Sequence, residues 1–435
     1  MKPQATRERV LFVAPTAYPL GGLATWLDML MPGLAEHGWD VVLGLTSGKF
    51  HDADAYLAIH PWSNVARIES PTGSAEGRVR AAGDAIARVA PGIVASVNVP
   101  DCLEAAARAG GDLRGVMTLH GIQEDLVAET ARIAGRIDGV ICTNRLACEL
   151  VKESSGLPAE RVRYAPYGVT VPPTLPARQA RSGALRLLHA GRLEEEQKRV
   201  FDLPRILEEL DRLEVDWSLR VAGAGPDEGE LRRRLAAMPL AGRVELLGEV
   251  ARDLLLAELL PDADALLVTS RWETGPIVAW EAMAAGVPVV SSRYVGSGRE
   301  ASLRHEHNCL LFPVGDAAAA AREIARLRDD ALWRDLRREA FSLVSERYSR
   351  AASARAWDAA LRAIRELPRA SRVTAATRPP AGRLDRVIGP RAAETARALL
   401  GRRFEHREPG GEWPHSYGGE SGSHFWSRAA AADAR

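Results

Sequence analysis

Short continuous apolar runs alternate along this chain with longer stretches in which apolar residues recur every three or four positions. Residues 10–14 (VLFVA), 41–45 (VVLGL), 93–97 (IVASV), 116–119, 139–143 and 162–165 are too short for helices. Their Val and Ile content suits strands covered on both faces. Between them, residues 24–37, 77–89 and 146–154 carry the helical period, the first stopped by Gly38 and the last capped by Asn144. Residues 50–71 show no period and read as irregular. The alternation resumes at 185–190, 218–221, 244–247, 265–269 and 287–291, with helices expected at 227–237 and 254–260 and a mostly helical stretch over 317–365. Between the two series lies TVPPTLPARQARSG, residues 170–183, rich in Pro and in small and charged residues. That composition marks a domain boundary. The pattern predicts two α/β domains with parallel sheets, over residues 1–169 and 184–350. After Pro368 the pattern weakens: TRPPAG reads as a linker, residues 391–400 as a short helix, and the Gly-, His- and Trp-containing tail (Trp413, Trp426) as disordered or docked on a partner.

Composition narrows the function classes. The chain has 435 residues, long enough for two cores. Its 57 Lys and Arg balance 57 Asp and Glu, so no general positive field favours a nucleic acid. The four cysteines, Cys102, Cys142, Cys148 and Cys309, have no metal-ligand spacing, and so few suggest a reducing compartment. No apolar run approaches the roughly 20 residues that span a bilayer. The polar start MKPQATRERV leads into a strand rather than a signal peptide. A cytoplasmic protein that binds no metal is expected.

The chemistry concentrates at strand-to-helix junctions. Residues 264–292 read strand, loop, helix, strand. Ser270 to Gly275 is the loop, Pro276 fits the first helical position, Ile277, Trp280, Glu281 and Ala284 carry the period, and Gly286 with Pro288 stops it. A helix entered this way from a parallel sheet turns its N–H groups and positive dipole end toward the ligand edge, which suits a diphosphate. Glu273 in the loop and Glu281 on the helix can each accept from two hydroxyls, as on a sugar or a ribose. A solvated pair of glutamates is the commoner meaning of such residues, but this helix is apolar on most sides, and a buried Glu needs a partner. Arg192 and Lys198 follow the strand at 185–190 and could neutralise a diphosphate, or simply pair with Glu194 to Glu196. Gly21 and Gly22 open the helix after the first strand, where a ligand can approach the backbone or where a plain turn is needed. Gly223 and Gly225 form a turn, but with the next glycine at 229 they miss the dinucleotide fingerprint. His120, beside Gly121, ends a strand, where it is catalytic or merely structural.

Taken together, Glu273 and Glu281 followed by Ala-Met-Ala-Ala-Gly-Val-Pro-Val-Val resemble the paired-glutamate signature of retaining nucleotide-sugar glycosyltransferases of family 4. Thr274 stands where that family usually has Gly. Further motifs in matching order run from about residue 10 to residue 365. They are Gly21-Gly22, Thr118-x-His120, Pro166-Tyr167-Gly168-Val169 with Tyr for Asn, and Gly191-Arg192-Leu193…Lys198 with Arg199 for Gly. Gly223-x-Gly225-Pro, Gly296-x-Gly298-x-Glu300 and Asn308-Cys309-Leu310-Leu311 complete the series. The resemblance implies the GT-B fold, two Rossmann-like doubly wound parallel-sheet domains facing a cleft, with a last helix (351–367) crossing back to the first domain. It implies a nucleoside-diphosphate sugar as co-substrate and no permanently bound cofactor or metal. Arg192 and Lys198 would bind the diphosphate, Glu273 the transferred sugar and Glu281 the ribose. His120 would lie near the sugar, and Gly21, Gly22, Gly223, Gly225, Gly275, Pro276, Ile277 and Glu300 would line the donor. The acceptor would be a glycan, a lipid-linked or a small-molecule hydroxyl, reached by a cytoplasmic or membrane-peripheral enzyme. A nucleotide-sugar 2-epimerase, or a non-catalytic carbohydrate- or partner-binding protein, would use the same fold.

Overall fold

The computed structural model describes residues 7–16, 22–48, 52–178, 183–239, 242–370, 382–404 and 422–435. It divides into two compact units. Unit 1 comprises residues 1–143, 147–166 and 354–425, and unit 2 comprises residues 144–146, 167–353 and 426–435. Residues 354–425 thus belong with the opening sheet.

In unit 1 seven strands form one sheet: β1 (Arg9–Pro15), β2 (Asp40–Ser47), β3 (Val65–Glu69), β4 (Ile93–Val97), β5 (Arg114–Leu119), β6 (Gly139–Cys142) and β7 (Val162–Tyr164), in the order β3-β2-β1-β4-β5-β6-β7. All neighbours are parallel, with Val10 beside Val41 on one side and Ile93 on the other. Unit 2 repeats the plan with β8 (Leu185–Ala190), β9 (Trp217–Ala222), β10 (Val244–Gly248), β11 (Ala265–Val268), β12 (Val289–Ser292) and β13 (Leu310–Phe312), in the order β10-β9-β8-β11-β12-β13. Each order reverses once, at β1/β4 and at β8/β11. That switch point leaves a crevice at the strands' carboxyl ends, where ligands of such sheets bind.

The continuous apolar runs are explained by cover on both faces. On β11, Ala265 and Leu267 pack with Ile206, Leu207 and Trp217, while Leu266 and Val268 pack with Ala279, Trp280 and Met283. Successive side chains of a strand point to opposite faces, so both sets must be apolar when helices lie on each side. Trp280 stacks on Tyr348 with centroids 4.2 Å apart and planes 5° from parallel, fixing the helix Ile277–Ala284.

Three expectations change. Residues 50–71 contain a seven-residue helix, Ala53–Ile59, capped by the Asp52 carboxylate on the Ala55 N–H, and the edge strand β3. Pro276 is not the first helical residue but the cap before it, its carbonyl accepting from Ala279 and Trp280 N–H. The extension carries, besides the expected helix (Pro390–Leu399), the helices Arg383–Ile388 and Ser423–Asp433. The helix Pro390–Leu399 is anchored through Glu394, which accepts hydrogen bonds from the Thr72 and Ser74 hydroxyls of unit 1. Trp413 lies outside the described residues.

Candidate active site

The loops after β8 and β11 leave the two strands that flank the switch point of unit 2, so they meet. The first holds Arg192 and Lys198, the second Glu273. Lys198 Nζ lies 2.5 Å from Glu273 Oε1, which also accepts from the Ser270 hydroxyl at 2.6 Å. Glu273 is only 6% exposed, so its charge rests on these partners. Backbone bonds set the geometry: Arg271 N–H donates to the Gln197 carbonyl at 2.7 Å, and the Thr269 hydroxyl to the Lys198 carbonyl at 2.6 Å. Glu273 N–H donates to the Val295 carbonyl at 3.1 Å. Arg192 stands at the open side of the pair, its guanidinium bonded to Gln197 at 3.0 Å and paired with Glu194.

Two glycines bring a third loop against these two. A Cβ on Gly223, at φ +145°, would come within 1.9 Å of the Gly191 carbonyl oxygen, and one on Gly225 within 2.2 Å of that of Leu193. The close approach lets Gly191 N–H reach the Ala222 carbonyl and Leu193 N–H that of Ala224. Gly229 lies inside the helix Glu228–Ala236, where a Cβ would meet only open space. Arg199 keeps the left-handed backbone that a glycine would adopt, at φ 50° and ψ 47°. A non-glycine residue there costs about 1–2 kcal/mol. Its guanidinium grips both Asp202 oxygens, at 2.7 and 2.9 Å.

Glu281 sits one turn inside the helix that Pro276 and Ile277 open, 6% exposed. Arg252 directs two N–H groups at a single oxygen, Oε1, at 2.9 and 2.6 Å. Burial raises the Glu281 pKa, and Arg252 opposes the rise. Gly275, at φ +121°, has the Tyr167 and Trp280 rings about its α-carbon, so Tyr167 packs on the Glu273 loop. Glu300 is buried as well. Its oxygens accept from Tyr348 hydroxyl at 2.9 Å and Arg145 N–H at 3.1 Å, which ties its loop to neighbouring segments of unit 2.

His120 and Gly22 belong to unit 1; Gly21 lies outside the described residues. Gly22 begins the helix Gly22–Glu36. Trp26 of that helix lies against the His120 ring, centroids 4.4 Å apart. The Thr118 hydroxyl donates to the Ser96 carbonyl at 2.7 Å, so its oxygen accepts from His120 Nε2–H at 2.9 Å. The proton therefore sits on Nε2. Burial pushes the imidazole pKa down to about 3, which keeps the ring neutral at ordinary pH.

Sequence reasoning found the charged residues at the junctions but not Arg252, Gln197 or Ser270, nor the role of the tail. No local pattern marks Arg252, which lies 29 positions from its partner. Among the described residues no group of three His, Cys, Asp or Glu could hold a metal, and no helix is long and apolar enough to cross a membrane.

The chain is similar to known proteins in sequence and in fold. Residues 184–330 match the family model described as "Glycosyl transferases group 1". Glycogen synthase of Mycobacterium tuberculosis is 35% identical over 150 residues, 34% of this chain and 36% of that protein. N-acetyl-alpha-D-glucosaminyl L-malate synthase of Bacillus anthracis is 33% identical over 136 residues, 31% of this chain and 34% of that one. An exopolysaccharide phosphotransferase of Streptomyces coelicolor is 36% identical over 119 residues, 27% of this chain and 12% of that one. The chain thus spans little more than a third of these curated relatives at most. Among solved structures, a sucrose-phosphate synthase from Thermosynechococcus elongatus superimposes with a TM-score of 0.67 at 20% identity, over 82% of this chain and 98% of that one. The Anabaena protein HepE, in complex with UDP and glucose, gives 0.66 at 18%, over 82% and 99%. Residues 184–330 therefore resemble the group 1 glycosyl transferases, and the two parallel sheets have the GT-B fold of the solved structures.

Proposed function

We propose that the protein is a retaining glycosyltransferase of the family 4 type, moving a sugar from a nucleoside-diphosphate sugar to an acceptor hydroxyl. The reading rests above all on Lys198 Nζ at 2.5 Å from the buried Glu273 carboxylate, at the switch point of the sheet that matches the group 1 family. The donor lies along unit 2. Arg192 and Lys198 neutralise the diphosphate as the glycosidic C–O bond breaks, with Lys198 released from Glu273 toward the phosphate oxygens. Glu273 then faces the sugar and supports positive charge at its anomeric carbon. Glu281, held by Arg252 through one oxygen, presents the other to the ribose hydroxyls. The leaving phosphate accepts the acceptor's proton on the same face as attack, so configuration is kept and no separate base is required. UDP and glucose in the Anabaena structure support a hexose nucleotide as donor, and glycogen synthase among the relatives supports a carbohydrate acceptor.

The test is incubation with UDP-glucose, GDP-mannose, ADP-glucose and TDP-glucose and a panel of glycan, lipid-linked and small-molecule acceptors, with the anomeric proton followed by NMR. Transfer with the donor's configuration supports the reading. An inverted product rejects retention, and conversion of the donor sugar without acceptor identifies an epimerase instead.

A further inference from the structure

The last helix of the chain lies beyond the segment that matches the glycosyl transferase family, yet it grips the loop that carries Glu273. Its sequence, SHFWSRAAAAD, has a run of four alanines, the best helix former. Ala429, Ala432 and Asp433 turn inward and are buried. Asp433 Oδ2 accepts from the N–H groups of Gly296 and Gly298, at 2.7 and 3.1 Å, and Oδ1 from that of Arg299 at 2.7 Å. Three converging backbone N–H groups on one carboxylate make a strong anion nest. The fit is close: a Cβ on Gly298 would meet the Asp433 carbonyl oxygen at 2.4 Å. At the other end of the contact Trp426 stacks on Trp272, centroids 4.4 Å apart and planes 29° from parallel.

Both gripped points adjoin Glu273. Trp272 precedes it in sequence and bridges to Val295, the residue before Gly296. Glu273 N–H donates to the Val295 carbonyl, Val295 N–H donates to that of Arg271, and a Cβ on Gly296 would lie 2.1 Å from the Glu273 carbonyl oxygen. The tail helix therefore holds both strands of a two-stranded bridge centred on Trp272, the residue next to Glu273.

We propose that the helix Ser423–Asp433 is an intramolecular clamp on the Glu273 loop, with Asp433 and Trp426 as positioning residues for Glu273. Its catalytic part rests on the transferase reading; the clamp itself does not. By setting the backbone of residues 271–273 from behind, the clamp aligns the Glu273 carboxylate, while the nucleotide is held by Arg192, Lys198 and Glu281. Loss of the clamp then lowers turnover more than nucleotide affinity.

The experiment compares the full chain with Asp433→Asn, Asp433→Glu and Trp426→Ala. Amide hydrogen exchange requires no activity and tests the clamp directly. Exchange at Glu273, Gly296, Gly298 and Arg299 should quicken in Asp433→Asn and Trp426→Ala and be partly restored in Asp433→Glu. Unchanged exchange at Glu273 overturns the clamp, whether or not the wild type shows transfer. With a wild type that turns over UDP-glucose or another of the four donors, kcat should fall ~10–100-fold, the scale of a small misplacement of a reacting group. The dissociation constant of the matching nucleoside diphosphate should stay within about threefold, a small change on the scale of binding free energies. A parallel loss of nucleotide affinity means general loosening of unit 2. A rise in kcat means that the helix covers the site. Either result overturns the positioning role.

Discussion

The two sheets share one strand order and one switch point, but their charges are distributed differently. At the β8/β11 switch, two loops bring Arg192, Lys198 and Glu273 together, with Glu281 and its partner Arg252 on the same unit. In unit 1 the residue carried to the end of β5 is His120, neutral by burial and hydrogen-bonded back to Thr118 of its own strand. The same topology thus carries an ionic cluster at the switch point of unit 2, whereas the histidine of unit 1 stands one strand away from its switch point and is neutral. Topology provides the crevice, and the side chains on the loops decide what it does. The proposed transfer of a sugar from a nucleoside diphosphate would need cations at the leaving group, and Arg192 and Lys198 stand in unit 2.

The largest expected effect sharpens that contrast. Lys198→Ala leaves Glu273 buried without its ammonium partner and, on the proposed mechanism, removes a cation from the departing phosphate. It should lower kcat about 10²–10³-fold, the range seen for loss of one group that stabilises developing charge. Steady-state kinetics with the donor that the enzyme turns over checks it; a change of less than about tenfold would remove Lys198 from the chemistry.

Next comes the backbone that brings the loops of unit 2 together. Gly223→Ala drives a methyl group into the Gly191 carbonyl and should destabilise by about 1–3 kcal/mol, the usual penalty of overpacking. Gly229→Ala, on an open helical position six residues later, should stabilise by about 0.5–1 kcal/mol. Urea unfolding of both variants separates the glycine that the site requires from the one it does not.

An effect that appears only on acidification belongs to unit 1. The folded His120 pKa, about 3, lies below the ordinary histidine value, so the unfolded chain takes up a proton that the folded imidazole refuses. Stability is therefore lost as pH falls from about 6.5 toward 3. His120→Asn has no such proton to refuse. Its melting temperature should fall less steeply than that of the wild type between about pH 7 and pH 4, and parallel curves would show that His120 titrates normally.

These differences also mark what the sequence made legible. Strands such as β11 could be read because burial on both faces demands an unbroken apolar run, and their alternation with helices gave the two parallel sheets. The helix Ala53–Ile59 could not: it is held by one cap and buries only Ala53 and Tyr56, too little for a period. β3 is an edge strand with just Ala66 and Ile68 turned inward. In the site, residue types at strand ends were informative, and pairings were not. Lys198 and Glu273 lie 75 positions apart, and Asp433 lies 135 from the Gly298 N–H that it caps. Local periodicity carries no record of such partners. The substitution of Arg199 for glycine left its loop open on sequence alone. The structure keeps the left-handed backbone, with Asp202 as the compensating partner.

The most direct measurement is a thermal-shift series with UDP, GDP, ADP and TDP on the wild type and on Glu281→Ala. A nucleotide at 100 times its dissociation constant stabilises the folded state by about 2.7 kcal/mol, enough to raise the melting temperature by several degrees. The account predicts that one nucleotide does so for the wild type and does so far less for the variant, which has lost the buried carboxylate beside Arg252. If no nucleoside diphosphate shifts the wild type at millimolar concentration, unit 2 binds no such donor and the transferase reading is wrong.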